Sequence, residues 1–191
     1  YSCLYRTLLF PREFYEFDAQ GKPVHYSPYN GKIQDGYMYT DNGFWDTFRA
    51  VHPLFTLLYP EVSERVTQSI LNAYDESGFM PEWASPGHRE CMIGNNSISL
   101  LTDAWMKGIR TICPEKALEA MIHQTEARHP GISSVGRDGF GYYDRLGYVP
   151  YPEVHEATAK TLEYAYADWC VARFADSIGR KEIADTYYLS L

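Results

Sequence analysis

A chain of 191 residues, 45% hydrophobic and 22% charged, carries enough apolar surface for one domain or one large piece of a domain, and its composition excludes a disordered polypeptide. The net charge of −8 comes without any run of Lys or Arg that could follow a phosphate backbone, which argues against a nucleic-acid partner. No apolar stretch approaches the ~20 residues of a membrane-spanning helix, and Cys3, Cys91, Cys113 and Cys170 lack the close spacing of a metal site, so they read as isolated thiols.

In chain order, residues 8–14 suggest a short helix or turn. The Asn30-Gly31, Asp35-Gly36 and Asn42-Gly43 steps read as tight turns, with a small hairpin around Tyr37, Met38 and Tyr39. Apolar residues at helical spacing (Phe48, Val51, Phe55, Leu58) predict a helix over 44–59 that stops at Pro60. A second helix over 61–76 follows, with Val62, Val66, Ile70 and Ala73 as its stripe and Gly78 as its terminator. Beyond an irregular loop over 79–96, a helix is predicted over 97–108, capped by Asn95, Asn96 or Ser97. Pro114 opens the next helix, which runs to 128. A Gly- and Tyr-rich loop spans 129–154, a long helix 155–178, and a last helix runs from Lys181 to Leu191.

These are three helix pairs, each with a short internal connection and a long loop after it. The fold class is therefore mainly α: a solenoid or closed toroid of helical hairpins, with inner helices lining a cleft and the long loops gathered at one end. Three pairs cannot close a six-pair ring, so the expectation is a partial (α/α)6 barrel, roughly half of the full domain. Residues 1–43 form its opening segment and 44–191 the first three pairs.

The aromatic content is high, at 16%, and suits either a large core or a cleft that stacks sugar rings. Three segments combine aromatics, carboxylates and amides at the mouths of inner helices. In the first, Trp45 could stack on a sugar, Asp46 could accept from two hydroxyls and Arg49 could orient that carboxylate; equally, Asp46 suits a helix N-terminus and Trp45 a core. In the second, Trp83 precedes Asn95 and Asn96, whose amides could read hydroxyls or simply cap a helix. In the third, Glu163, Tyr166 and Cys170 share one helical face. A carboxyl among Leu162, Tyr164 and Tyr166 would be partly desolvated, as a general acid requires, although a buried, hydrogen-bonded Glu is the commoner occurrence. Asp168 points elsewhere and reads as structural.

The strings LYRTLLFP from Leu4, WDTFRAVHPL from Trp45, CMIG from Cys91, DAWMKG from Asp103 and TLEYAYADWC from Thr161 run in the order of one family's motifs. Through them the chain resembles glycoside hydrolase family 92, calcium-dependent inverting exo-α-mannosidases. The resemblance implies an N-terminal β-sandwich before an (α/α)6 barrel, a calcium ion that helps bind and distort the terminal mannose, and single-displacement hydrolysis. Carried over, Glu163 matches the general acid and Asp46 a contact to the terminal sugar. Trp45 and Trp83 become stacking surfaces, and Asn96 joins Asp46 in fixing hydroxyls. The base carboxylates and calcium ligands are expected downstream, with no metal ligand in this chain. The implied partner is a mannose-containing glycan, cleaved most commonly at α-1,2 linkages in bacterial N-glycan degradation, and the implied location is secreted, periplasmic or cell-surface. Departures from the family pattern occur at Asn95, Asn96 and Ala167 and over 155–159. Together they put linkage preference in doubt, and those at Asn95, Asn96 and Ala167 motivate a non-catalytic glycan-binding homologue; a further alternative is a hydrolase of another linkage or sugar.

Overall fold

The structure, a computed structural model, describes residues 1–189, so the last two positions of the predicted final helix lie outside the described residues. Helix α1 (Ser2–Thr7) ends before Pro11, and strand β1 (Arg12–Glu13) follows it. The helix or turn expected over 8–14 is thus displaced toward the N-terminus. Proline has no N–H to donate and pushes the residue before it out of the helical region.

The hairpin expected around Tyr37, Met38 and Tyr39 does not form. Strand β2 (Glu16–Phe17), β3 (Pro23–Tyr26) and β4 (Ile33–Asp35) make a three-stranded antiparallel sheet in chain order instead. The Asn30-Gly31 step lies in its β3–β4 turn, where Ser27 Oγ accepts from the N–H groups of Tyr29 and Asn30, both at 3.1 Å. Strand β5 (Tyr39–Thr40) pairs with β1, Arg12 opposite Thr40. Met38 is fully buried, and its place in the core fixes this register. His25 fastens the sheet to the helices: Nδ1 lies 2.9 Å from the Gly36 carbonyl oxygen and Nε2 2.8 Å from Glu76 Oε1. Burial opposes a charge on this ring, but two acceptors outweigh it and the His25 pKa is raised.

Strand β6 (Asn42–Gly43) leads into α2 (Phe44–Thr47), and α3 (Val51–Leu58) follows after a turn at Phe48, Arg49 and Ala50. The single helix expected over 44–59 is therefore two. Pro53 is the cause: a continuous helix would need its absent N–H, whereas in the first turn of a new helix none is required. Helix α4 (Pro60–Ser77) starts on its proline and ends at Gly78, close to expectation. Strand β7 (Trp83–Ala84) pairs antiparallel with β6. Helices α5 (Asn96–Met106) and α6 (Pro114–Glu126) come next. The loop expected over 129–154 contains α7 (Phe140–Leu146), too short to leave a periodic signal; its Tyr143 packs with Val149, Val154, Ala157 and Tyr164. Helices α8 (Ala157–Ser177) and α9 (Lys181–Leu189) complete the described chain.

Helix α3 packs on α4 and α5, α5 on α8, α8 on α9, and α6 rests against α4 and α8. The core between them holds Ile70, Leu71, Leu101, Met121, Val171 and Phe174. Trp105 lies 5.3 Å from the Phe174 ring and donates its indole N–H to Ser177 Oγ at 3.0 Å. The architecture is mainly α, a partial helical domain in which α3 and α4, and α8 and α9, pack as consecutive neighbours. No disulfide forms among the described residues; Cys170 is buried, Cys91 half-buried, and Cys3 and Cys113 exposed. None of the described helices is long and apolar enough to cross a membrane.

Candidate active site

The short helix α2, the loop before α5 and the second turn of α8 meet around Glu163. Its Oε1 accepts from the Trp45 indole N–H at 3.1 Å and from the Arg49 guanidinium at 3.4 Å. Oε2 accepts no hydrogen bond among the described residues, and the side chain is 19% exposed. Gly94 closes the other side. A Cβ there would stand 2.9 Å from Glu163 Cβ and 3.1 Å from Oε2, and the backbone has a φ of 87°. Position 94 therefore admits only glycine, and the loop reaches it through Met92, itself left-handed at φ 69°.

The surroundings expected for Glu163 are not those found. Leu162 and Tyr166 are 68% and 41% exposed, and Tyr164 is turned into the core around α7. Neighbours on a helix point about 100° apart, so adjacency in sequence does not line a carboxyl. Trp45, Arg49 and Gly94 do so from elsewhere in the chain.

Trp45 does not offer both faces to a sugar: the Arg49 guanidinium lies 4.7 Å from its ring centroid. Arg49 does not orient Asp46 either. Helix α2 ends at Thr47, the turn after it carries Arg49 out of helical register, and the guanidinium goes to Trp45 and Glu163. Asp46 is exposed and makes no hydrogen bond among the described residues; its Oδ2 would stand 2.8 Å from a Cβ on Gly43. The half-buried Trp83 ring covers Gly43, so Asp46 and Trp83 both lie against that glycine.

Asn95 and Asn96 are tied into the protein rather than held out to solvent. Both are 1% exposed. The Asn95 amide donates to the Gly136 carbonyl at 3.1 Å and accepts from Arg137 Nε at 2.8 Å, while the Asn96 amide donates to the Ile93 carbonyl at 3.1 Å. Neither residue, nor Ser97, caps α5 with its side chain. Glu82 does so from the loop before: Oε2 accepts from the N–H of Asn96 at 2.8 Å and of Ser97 at 3.4 Å, and Oε1 from Ser97 Oγ and Gln124 Nε2, each at 3.0 Å. Burial pushes the Glu82 carboxyl up to about 8 against these four donors.

Sequence reasoning missed Glu82 and Arg137. Arg137 is 2% exposed and pairs with Asp168 at 2.5 Å, which gives Asp168 its structural place. A lone acid between Pro81 and Trp83 was the one visible signal for Glu82; Arg137, in a Gly-rich stretch, left none. Among the described residues no three His, Cys, Asp or Glu side chains come close enough to share a metal ion. The described residues by themselves form no calcium site.

A profile of the glycosyl hydrolase family 92 catalytic domain matches residues 1–190. A family 92 inverting mannosidase from Bacteroides thetaiotaomicron VPI-5482 superposes with a TM-score of 0.97 at 83% identity, over 99% of this chain and 26% of that one. A family 92 α-mannosidase from Bacteroides thetaiotaomicron, solved with mannoimidazole, superposes at 0.81 with 31% identity, over 97% of this chain and 24% of that one. A protein of Arthroderma benhamiae described as a secreted glycosidase is 26% identical over 122 residues, 59% of this chain and 16% of the relative. The chain thus spans about a quarter of the solved structures it matches. Fold and profile agree: this chain belongs to glycosyl hydrolase family 92, within its catalytic domain.

Proposed function

We propose that the protein carrying this chain is an exo-acting α-mannosidase that removes terminal mannose from glycans with inversion, with Glu163 as the general acid. The observation that carries the reading is the division of labour between the two Glu163 oxygens. Trp45 and Arg49 both donate to Oε1, which leaves Oε2, facing Gly94, as the oxygen to hold and deliver a proton. That proton passes to the bridging glycosidic oxygen as the bond to the anomeric carbon breaks. Water attacks the opposite face, activated by a second carboxylate about 6.5–9.5 Å away. The mannosidases similar to this chain support the sugar. The α-1,2 linkage, calcium and extracytoplasmic location are carried by the family resemblance, with a relative described as secreted in support of the last. Residues 1–43 serve as the opening segment, and 44–191 supply three helix pairs of the barrel.

A non-catalytic glycan-binding role gains no support from the departures that suggested it. Asn95, Asn96 and Ala167 are each 1% exposed, so none of these exchanges sits on an open surface. The test is Glu163→Gln in the intact protein. Hydrolysis of a natural mannobiose falls by roughly 100-fold or more, and that of a dinitrophenyl α-mannoside, whose leaving group needs no proton, falls far less. Equal loss on both substrates rejects the assignment.

A further inference from the structure

We infer that Arg137 is a positioning residue for Glu163, through a clamp that ties the loop carrying Gly94 to the helix carrying the carboxyl. The inference rests on the acid role proposed above. Arg137 Nε donates to Asn95 Oδ1 at 2.8 Å, and its terminal nitrogen donates to the Tyr164 carbonyl at 3.1 Å and to Asp168 Oδ1 at 2.5 Å. Asn95 returns a hydrogen bond to the Gly136 carbonyl at 3.1 Å. One planar guanidinium therefore grips the residue directly after Gly94 and the residue directly after Glu163.

The spacing between those two is the quantity the cleft depends on, because Gly94 touches Glu163 with no side chain to take up slack. Displacement of the loop or of the helix turn moves Oε2 relative to the incoming glycosidic oxygen while leaving both elements folded. The environment is built for this purpose. The Tyr143 and Tyr164 rings lie 5.3 and 4.9 Å from the guanidinium carbon, and the Arg137–Asp168 pair is withdrawn from water on both sides. A buried ion pair is a poor source of stability compared with apolar packing of the same volume, so its value lies in direction. The fork of arginine, with donors fixed in one plane, sets the relative position of three acceptors at once. Gly136 permits the approach: at φ 77° it passes so close to the Ala127 carbonyl that any Cβ would collide, while the Arg137 N–H donates to that carbonyl at 2.7 Å.

The experiment uses the intact protein with Arg137→Lys, which keeps the charge opposite Asp168 and loses the fork, and Asn95→Ala, which cuts the link to the loop and leaves the ion pair. Each is assayed on a mannobiose and on dinitrophenyl α-mannoside, with a thermal midpoint recorded and Glu163→Gln run beside them. The expected result is a kcat loss of about 10- to 100-fold on mannobiose, a markedly smaller loss on the activated substrate and a KM within about twofold. Proportional loss on both substrates, or no loss on either, overturns the clamp. If Arg137→Lys fails to fold, Asn95→Ala decides by the same comparison. Leaving-group-selective loss in Glu163→Gln without it in either clamp variant overturns the clamp alone. Equal loss in Glu163→Gln overturns the acid role and the clamp with it.

Discussion

Gly94 and Glu163 occupy adjoining space with nothing to spare, so the most sensitive position of the cleft carries no functional group. Gly94→Ala adds a Cβ 2.9 Å from the Glu163 Cβ and forces an L-residue to φ 87°. The strain is about 1–2 kcal/mol, while displacing the carboxyl costs the intact protein about tenfold or more in kcat on mannobiose. A normal rate with a lowered thermal midpoint would separate the two effects and reject the close-approach account. That Trp45 and Arg49 meet Glu163 was not legible at this scale, because 118 and 114 positions separate them in the chain. Asn95 shows why the amides were hard to read, since an amide that meets a hydroxyl and one that ties a loop look the same in a string of letters. What separates them is burial, set by residues about 40 positions away.

Helix α5 shows how an element can be placed correctly and its support misassigned. Its extent was readable from spacing, but its cap was sought locally and comes from Glu82, 14 residues upstream. The same carboxyl gives the element a pH response. Glutamate ionises near 4.5 in its ordinary setting, and Glu82 keeps its proton up to about 8. Between those values the folded chain binds more protons than the unfolded one, so this group's contribution to stability falls as pH rises through the window and is level above about 8. Thermal midpoints measured across that range should decline more steeply in the native sequence than in Glu82→Gln. Parallel slopes would remove Glu82 as the source. The break between α2 and α3 was legible in principle, since Pro53 marks where a new helix must start. Helix α7 was not: seven residues give periodicity too little length, and Tyr143 earns its place only against Tyr164.

Across the whole molecule, the mainly α class and the order of the helix pairs followed from apolar spacing, because helices bury stripes whatever their partners turn out to be. Which helix lies against which did not follow: α6 settles against α4 and α8, a consequence of shape rather than of any local signal. Helix α8 joins the regions, with Phe174 fully buried against Trp105 and Glu163 three turns nearer its start. Phe174→Ala should cost about 3–5 kcal/mol, read as a shift in denaturant midpoint without change in slope. A cost under about 1 kcal/mol would mean that Phe174 does not sit in tightly packed core between α5 and α8.

The segment from Phe79 to Asn95 has almost no regular structure, yet it is pinned along its length. Met80 exchanges hydrogen bonds with Gln124, Glu82 holds α5, Ala84 pairs with Asn42, Ser85 reaches Asp41, and Asn95 is gripped by Arg137. Surface connections ordinarily diversify by gaining or losing residues. This one has no register to spare, so a change in what the cleft accepts would have to come by exchanging side chains on a path of constant length.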